Sequence, residues 1–241
     1  MLIPFNSIEQ GIYCVPKIVG LSSGIVAIEF MQREVILHSE KYLGHSFPDN
    51  SSESYLLLTF DGDSKELVEK EYSAIADLCI TNGASDALIV DTEERNDSVW
   101  NARSAFLEAI KSSTDLMDEC DVVVPRSMVA EFINFSQDVA DKIGIRIPSF
   151  GHAGDGNLHL YLCKDNMSDV DWNVKCSNAF ELLYNKAIEL GGFPSGEHGI
   201  GYIKKPYLEN QLGQTQINLM RGIKKVFDPN SILNPNKVFS E

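Results

Sequence analysis

Two of the chain's five histidines, His152 and His159, bracket the stretch Gly151-His152-Ala153-Gly154-Asp155-Gly156-Asn157-Leu158-His159. Asp155-Gly156 is a strong β-hairpin signal, since both residues tolerate the positive φ that a tight primed turn demands. A two-residue loop there predicts that Gly154 faces Asn157, Ala153 faces Leu158 and His152 faces His159. Directly opposed residues share a face of the sheet, with Cβ atoms about 4.5–5.5 Å apart. Two imidazoles at that spacing can grip one metal ion, given a third ligand. Leu158, Leu160 and Leu162 then turn to the other face and meet a core. Without a third ligand the stretch is a polar turn carrying two surface histidines.

The third ligand has a candidate in Gly191-Gly192-Phe193-Pro194-Ser195-Gly196-Glu197-His198-Gly199-Ile200-Gly201. Five glycines and a proline shape an irregular loop whose backbone can approach a ligand closely. It lacks the Gly-Lys-Ser ending of a phosphate loop, and no nicotinamide-binding fingerprint follows a strand. Glu197 can supply a carboxylate to His152 and His159. Two histidines and one carboxylate leave open positions on zinc, iron or manganese. His198 is then a free imidazole beside the metal, suited to proton transfer. In isolation the loop also fits a solvated, flexible turn.

The remaining elements must hold these two stretches together. Ile3-Pro4-Phe5 to Gly11 reads as a linker into a short helix from Ile8 to Val15. Strands are predicted at Gly24–Phe30, Tyr55–Phe60, Ala87–Val90, Asp121–Pro125 and Ile145–Phe150, from β-branched and apolar runs. Ser64 caps a helix that runs to Asn82, with Gly83 at its end. Further helices are predicted over Glu93–Ser112, from Ser127 to Gly144, over Asp169–Leu190, and over Gln214–Phe227. Lys41–Ser54, with Pro48-Asp49-Asn50, reads as the main flexible loop. Strands and helices alternate, but several connections are too short for parallel crossovers. The order strand, helix, hairpin resembles a ferredoxin-like unit. The expected class is α+β, an antiparallel sheet covered by helices on one face, with a parallel doubly wound sheet as second choice.

Composition narrows the partners. The chain has 241 residues, 44% of them hydrophobic, and a net charge of −15, which disfavours nucleic acid and anionic membranes alike. The five cysteines, Cys14, Cys79, Cys120, Cys163 and Cys176, form no Cys-x-x-Cys pair. They read as reduced thiols of a cytoplasmic protein. No apolar run is long enough for a membrane helix, and no signal peptide is visible.

At these motifs the sequence resembles the C-terminal half of the FAD-linked oxidases of the glycolate oxidase, D-lactate and D-2-hydroxyglutarate dehydrogenase type. The resemblance rests on Glu29-Phe30-Met31, on Asp121–Ser127 (DVVVPRS), on GHAGDGNLH at 151–159, on SGEHGIG at 195–201 and on DPNSILNPNKVF at 228–239, and it spans residues 1–241 as one cap and substrate domain. It implies FAD held by another domain or subunit, the family's FAD-binding domain being absent from this chain. It implies metal ligands at His152, His159 and Glu197, a catalytic base at His198 and a substrate-carboxylate arginine at Arg103. It also implies a cofactor contact at Asn234, within a Leu233-Asn234-Pro235 segment that returns toward the flavin. The implied reaction oxidises a D-2-hydroxy acid to a 2-oxo acid, with the hydride passing to flavin N5 and the hydroxyl proton to His198. Departures from the pattern are Gln32 where aspartate is usual, Asn236 where glycine is usual, Tyr161 where some members have asparagine, and Glu119 near a lysine of the hydroxyglutarate enzymes. Glu119 disfavours a second substrate carboxylate, so a small monocarboxylic acid is expected. A non-catalytic assembly subunit and a metal-dependent hydrolase are the other classes in view. An apolar patch including Ile232, Leu233, Val238 and Phe239 is expected where the flavin domain would dock, with self-association as another way to cover it.

Overall fold

The computed structural model describes residues 1–239. Strands β1 (Leu2–Phe5), β2 (Ile25–Gln32), β3 (Ser54–Phe60), β4 (Met117–Val123), β5 (Ser149–His152) and β6 (Asn157–Cys163) form one sheet. Their order is β1-β3-β2-β5-β6-β4, and each neighbouring pair is antiparallel. Around them pack α1 (Ile8–Leu21), α2 (Arg33–Leu43), α3 (Lys65–Thr81), α4 (Glu93–Ser112), α5 (Val129–Ile143), α6 (Asp169–Glu189) and α7 (Lys205–Phe227).

The period-2 alternation of the strands sorts their side chains into two layers. Phe30, Leu56, Leu58, Cys120, Val122, Leu158, Leu160 and Leu162 face one side, against α1, α3, α5 and α6. Met31, Tyr55, Leu57, Phe150 and Tyr161 face the other, against Val35 and Ile36 of α2 and Val99, Phe106 and Ile110 of α4. The antiparallel α+β architecture is as expected. The helical cover is fuller than a single layer, with four helices on one face and α2 and α4 over part of the other. What those two helices leave open, above β5, β6 and β4, is polar.

Local chemistry explains most boundaries. Ser64 Oγ accepts the Leu67 N–H at 3.3 Å and starts α3. Ser168 Oγ accepts from Asp171 N at 3.1 Å and starts α6. Gly144 ends α5 in the left-handed region at φ 70°. Several expectations are corrected. Residues Ile3-Pro4-Phe5 are strand, not linker; β1 is an end strand of the sheet, where proline is tolerated, and it pairs with β3. Ala87–Val90 is not a strand and makes only an isolated bridge from Leu88 to Leu2. The helix expected from Ser127 begins at Val129 instead, because a 3₁₀ turn at Arg126–Met128 follows Pro125. Helix α2 went unread, as it follows β2 directly and no side chain caps its start. The helix predicted from Gln214 is the second half of α7, which breaks at Gly213 (φ 73°, ψ 171°).

Leu160 lies fully buried on β6, between β5 and β4. Leu160→Ala should lower unfolding free energy by about 2–5 kcal/mol in chemical denaturation, through lost transfer energy and the cavity left behind. A loss below about 1 kcal/mol would show that the β5–β6–β4 layer is not the close-packed core described.

Candidate functional site

The hairpin register differs from expectation. His152 pairs with Asn157 and Phe150 with His159, so the loop is the four residues Ala153–Gly156. Tertiary hydrogen bonds set this longer turn: Gly154 N–H donates to the Ile28 carbonyl at 3.2 Å, and Val124 N–H to the Gly156 carbonyl at 3.0 Å. Gly156 sits at φ 76°, and a Cβ there would strike the Val124 carbonyl. The slip is two residues, and an even slip keeps every side chain on its face. His152 and His159 therefore remain on one face as diagonal neighbours, with ring centroids 5.6 Å apart and planes at 88°.

Each imidazole is gripped from behind. His152 Nδ1 lies 2.7 Å from Glu29 Oε1, its partner residue on β2. Burial pushes the Glu29 carboxyl up, but the His152 hydrogen bond and the Arg103 charge outweigh it and hold it below the usual range. The same hydrogen bond raises His152, against burial. His159 Nδ1 lies 3.2 Å from Glu119 Oε1 and 3.9 Å from Asp121 Oδ1. Asp121 stands directly opposite His159 in the β4–β6 ladder. Burial raises Glu119, but the His159 and His198 imidazoles bring it below the usual carboxylate range.

The Ser195–Gly201 loop closes over these rings. Glu197 Oε1 lies 3.0 Å from His159 Nε2 and 3.5 Å from His152 Nε2. Ligand atoms of His152, His159 and Glu197 all fall within 4.8 Å of one another. A nearby second grouping joins His159 to Glu119 and His198, whose Nδ1 is 3.4 Å from Glu119 Oε1. His198 stacks on His159 at 5.0 Å between centroids and stays about half exposed, with Nε2 4.0 Å from Glu197 Oε1.

The tautomers decide which grouping suits a metal. Carboxylates behind Nδ1 hold the proton there on both His152 and His159, so both Nε2 lone pairs point toward Glu197 Oε1. Lone pairs facing an anionic oxygen at 3.0–3.5 Å repel unless a cation lies between them, either a proton or a metal ion. His159 Nδ1, Glu119 Oε1 and Asp121 Oδ1 are buried without a hydrogen-bond partner. Of the two carboxylates, Glu119 Oε1 at 3.2 Å is within reach of an Nδ1–H on His159, whereas Asp121 Oδ1 at 3.9 Å lies beyond hydrogen-bond distance. Carboxylate behind histidine behind metal is the usual outer-shell arrangement. The donor set His152, His159 and Glu197 fits a divalent cation, and Glu29, Glu119 and Asp121 then form its outer layer.

The remaining expected residues divide. Arg103 of α4 is close by: its Nη2 and Nε donate to Glu29 Oε2 at 2.6 and 3.0 Å, and the guanidinium lies 4.7 Å from the Phe150 ring centre. It reaches His152 only through Glu29. Asn234 stands apart on the exposed tail, at φ 46°, its carbonyl accepting from Lys237 N–H. That tail is held by Asp228, whose carboxylate accepts from the Ile232 and Leu233 N–H groups. It touches the loop where Val238 N–H donates to the Gly201 carbonyl at 2.8 Å. Roles for Glu29 and Asp121 were missed in the sequence. The available signal was a carboxylate set within an apolar strand, on the same alternation as the histidines.

Comparison with known proteins follows the same lines. The chain matches the family described as FAD linked oxidases, C-terminal domain, over residues 1–238. It belongs to that family. The D-lactate dehydrogenase of Anaerostipes hadrus is 41% identical over 243 residues, which cover 99% of this chain and 51% of that protein. The glycolate oxidase subunit GlcD of Bacillus subtilis is 35% identical, covering 100% of this chain and 51% of that subunit. The chain thus spans about half the length of the curated relatives it matches. Substrate-bound p-cresol methylhydroxylase shares the fold, with a TM-score of 0.72 at 11% identity, over 98% of this chain and 52% of that one. Among the described residues, no helix is long and apolar enough to cross a membrane.

Titration with Zn²⁺ or Co²⁺ should show one site per chain, lost in His152→Asn and in Glu197→Gln. Removing a ligand should weaken binding by at least about 10–100-fold, the range already seen for outer-shell changes. Retention of wild-type affinity by both variants would rule out this ligand set.

Proposed function

We propose that this chain is the substrate-binding half of a flavin-dependent dehydrogenase of small D-2-hydroxy acids. The observation that carries the reading is the pair of carboxylate-backed histidines aimed at Glu197, on a chain 41% identical to a D-lactate dehydrogenase over this half. A divalent cation held by His152, His159 and Glu197 would supply Lewis acidity toward the substrate's carboxylate and hydroxyl oxygens. FAD, bound by another domain or partner, would accept the hydride.

This chain's residues then orient substrate and move the proton. His198 is half exposed beside Glu197, with Nε2 4.0 Å from Glu197 Oε1, and lies outside the ligand set. Its Nδ1 faces Glu119, which leaves Nε2 to take the hydroxyl proton. Arg103 keeps N–H groups beyond the two that bind Glu29, and these are the candidates for the substrate carboxylate. Glu119 opposes a second carboxylate and favours monocarboxylic acids such as D-lactate or glycolate.

The docking face for the flavin-binding part is assigned to α7 and the tail. Leu219, Ile223, Val226 and Phe227 line one exposed stripe, with Val226 and Phe227 each 78% exposed. The spacing places them together on the helix, next to exposed Ile232 and Leu233. Val238 and Phe239 are only partly exposed and contribute less than expected. Asn234 belongs to the same surface. An apolar surface of this kind marks an interaction site.

In the flavin-containing assembly, His198→Asn should keep the metal and slow flavin reduction by D-lactate about 10²–10⁴-fold, the typical worth of a general base. His152→Asn should lose the metal as well. Wild-type flavin reduction in both variants would leave the chain an assembly role only. The double change Val226→Asp with Phe227→Asp should speed loss of bound FAD while leaving metal content intact. Unchanged FAD retention would place the docking face elsewhere.

A further inference from the structure

Asp121 is neither a proposed metal ligand nor a proton-transfer group, yet its carboxylate gathers more donors than any other at the site. Its Oδ2 accepts from Ser195 Oγ at 2.8 Å and from the N–H groups of Gly196, Glu197 and His198 at 3.1, 3.3 and 3.0 Å. Lys204 Nζ adds a fifth donor at 3.2 Å and also reaches the Asp121 carbonyl at 3.1 Å. Both residues are buried, Asp121 at 1% and Lys204 at 8% exposure.

Three consecutive N–H groups turned onto one oxygen form a nest. Fixing them fixes the backbone torsions at Glu197, and with them the directions in which the Glu197 and His198 side chains leave the loop. From the other side, Gly196 packs on the Asn157 amide so closely that any Cβ would collide with it. The other carboxylate oxygen of Asp121 faces His159 Nδ1. One side chain thus connects the loop to the strand histidine.

We infer that Asp121 and Lys204 are the positioning pair of this site: Asp121 sets the geometry of residues 195–198, and Lys204 supplies the charge that lets a carboxylate sit buried there. The inference concerns the loop itself, and its consequence for metal geometry rests on the function proposed above. Lys204 lies outside the glycine-rich motif, just ahead of α7, so the motif alone does not contain its own support.

Amide hydrogen exchange tests the pair directly. Asp121→Asn and Lys204→Met should each speed exchange at Gly196, Glu197 and His198 by about tenfold or more, the loss of a net hydrogen bond to a charged group. Amides of β6 should stay near wild type. Lys204→Arg, which keeps the charge, should restore slow exchange and guards against a variant that fails to fold. Exchange unchanged at the three amides, or faster uniformly across the chain, overturns the pair. Co²⁺ supplies the second readout: Asp121→Asn should alter the visible absorption of the bound ion and weaken its binding about 10–100-fold. Absence of Co²⁺ binding by the wild type would count against the proposed function, while the exchange data would still decide the pair.

Discussion

Burying carboxylates in the middle of an antiparallel sheet is the constraint from which this site follows. A carboxylate taken out of water is costly unless donors and countercharge surround it. Glu29, at 6% exposure, and Asp121, at 1%, meet that demand differently. Glu29 recruits Arg103 from α4 and His152 from the neighbouring strand. Asp121 recruits a whole loop through its backbone N–H groups, together with Lys204. Burial raises the Asp121 carboxyl, but the His198 N–H, the Ser195 hydroxyl and Lys204 outweigh it and hold it below the usual range. Each buried acid therefore fixes one half of the site, the strand histidine in one case and the glycine-rich loop in the other.

Much of this was legible in the sequence, for physical reasons that separate cleanly. That His152 and His159 share a face followed from alternation, which depends only on the parity of positions, and Glu197 was the candidate third ligand in the glycine-rich loop. The shared face therefore survived a wrong turn length. The turn length depends on bonds from Ile28 and Val124 that lie far away in the chain, and no local signal carries those. Strand β1 was hidden by Pro4, acceptable only because β1 is an end strand. Helix α2 was hidden by its abrupt start, although Gly44 in the left-handed region at φ 69° was available as its stop signal. Arg103 was expected to face a substrate and is found bound to Glu29. Only the fold shows that this arginine reaches His152 through Glu29.

The two faces of the sheet also divide the labour between stability and chemistry. The face covered by α1, α3, α5 and α6 is continuous and apolar. The opposite face is apolar only as far as Phe150 and Tyr161, where the polar cluster begins. Phe150 stands at that border, 5.7 Å from the His159 ring and under the Arg103 guanidinium. The core thus supplies a rigid wall to the site, and α4 carries both the wall's packing residue Phe106 and the site's Arg103.

Charge balance then bears on substrate size. Around the cluster stand the carboxylates Glu29, Glu119, Asp121 and Glu197, against the fixed cations Arg103 and Lys204. The local surplus is two negative charges, which one divalent cation cancels. On the function proposed above, a monocarboxylic substrate would leave the cluster with one net negative charge. A second carboxylate would add another, and on the Glu119 side it would face a like charge, held below the usual carboxylate range by the two imidazoles. Like charges a few Å apart in a partly buried site repel by several kcal/mol at an effective dielectric of about 20, enough to bias selection by orders of magnitude. On the function proposed above, the sheet position of Glu119, diagonal to His159 and opposite Tyr161, would place the discrimination against dicarboxylic acids in β4, on a residue outside the proposed ligand set of His152, His159 and Glu197.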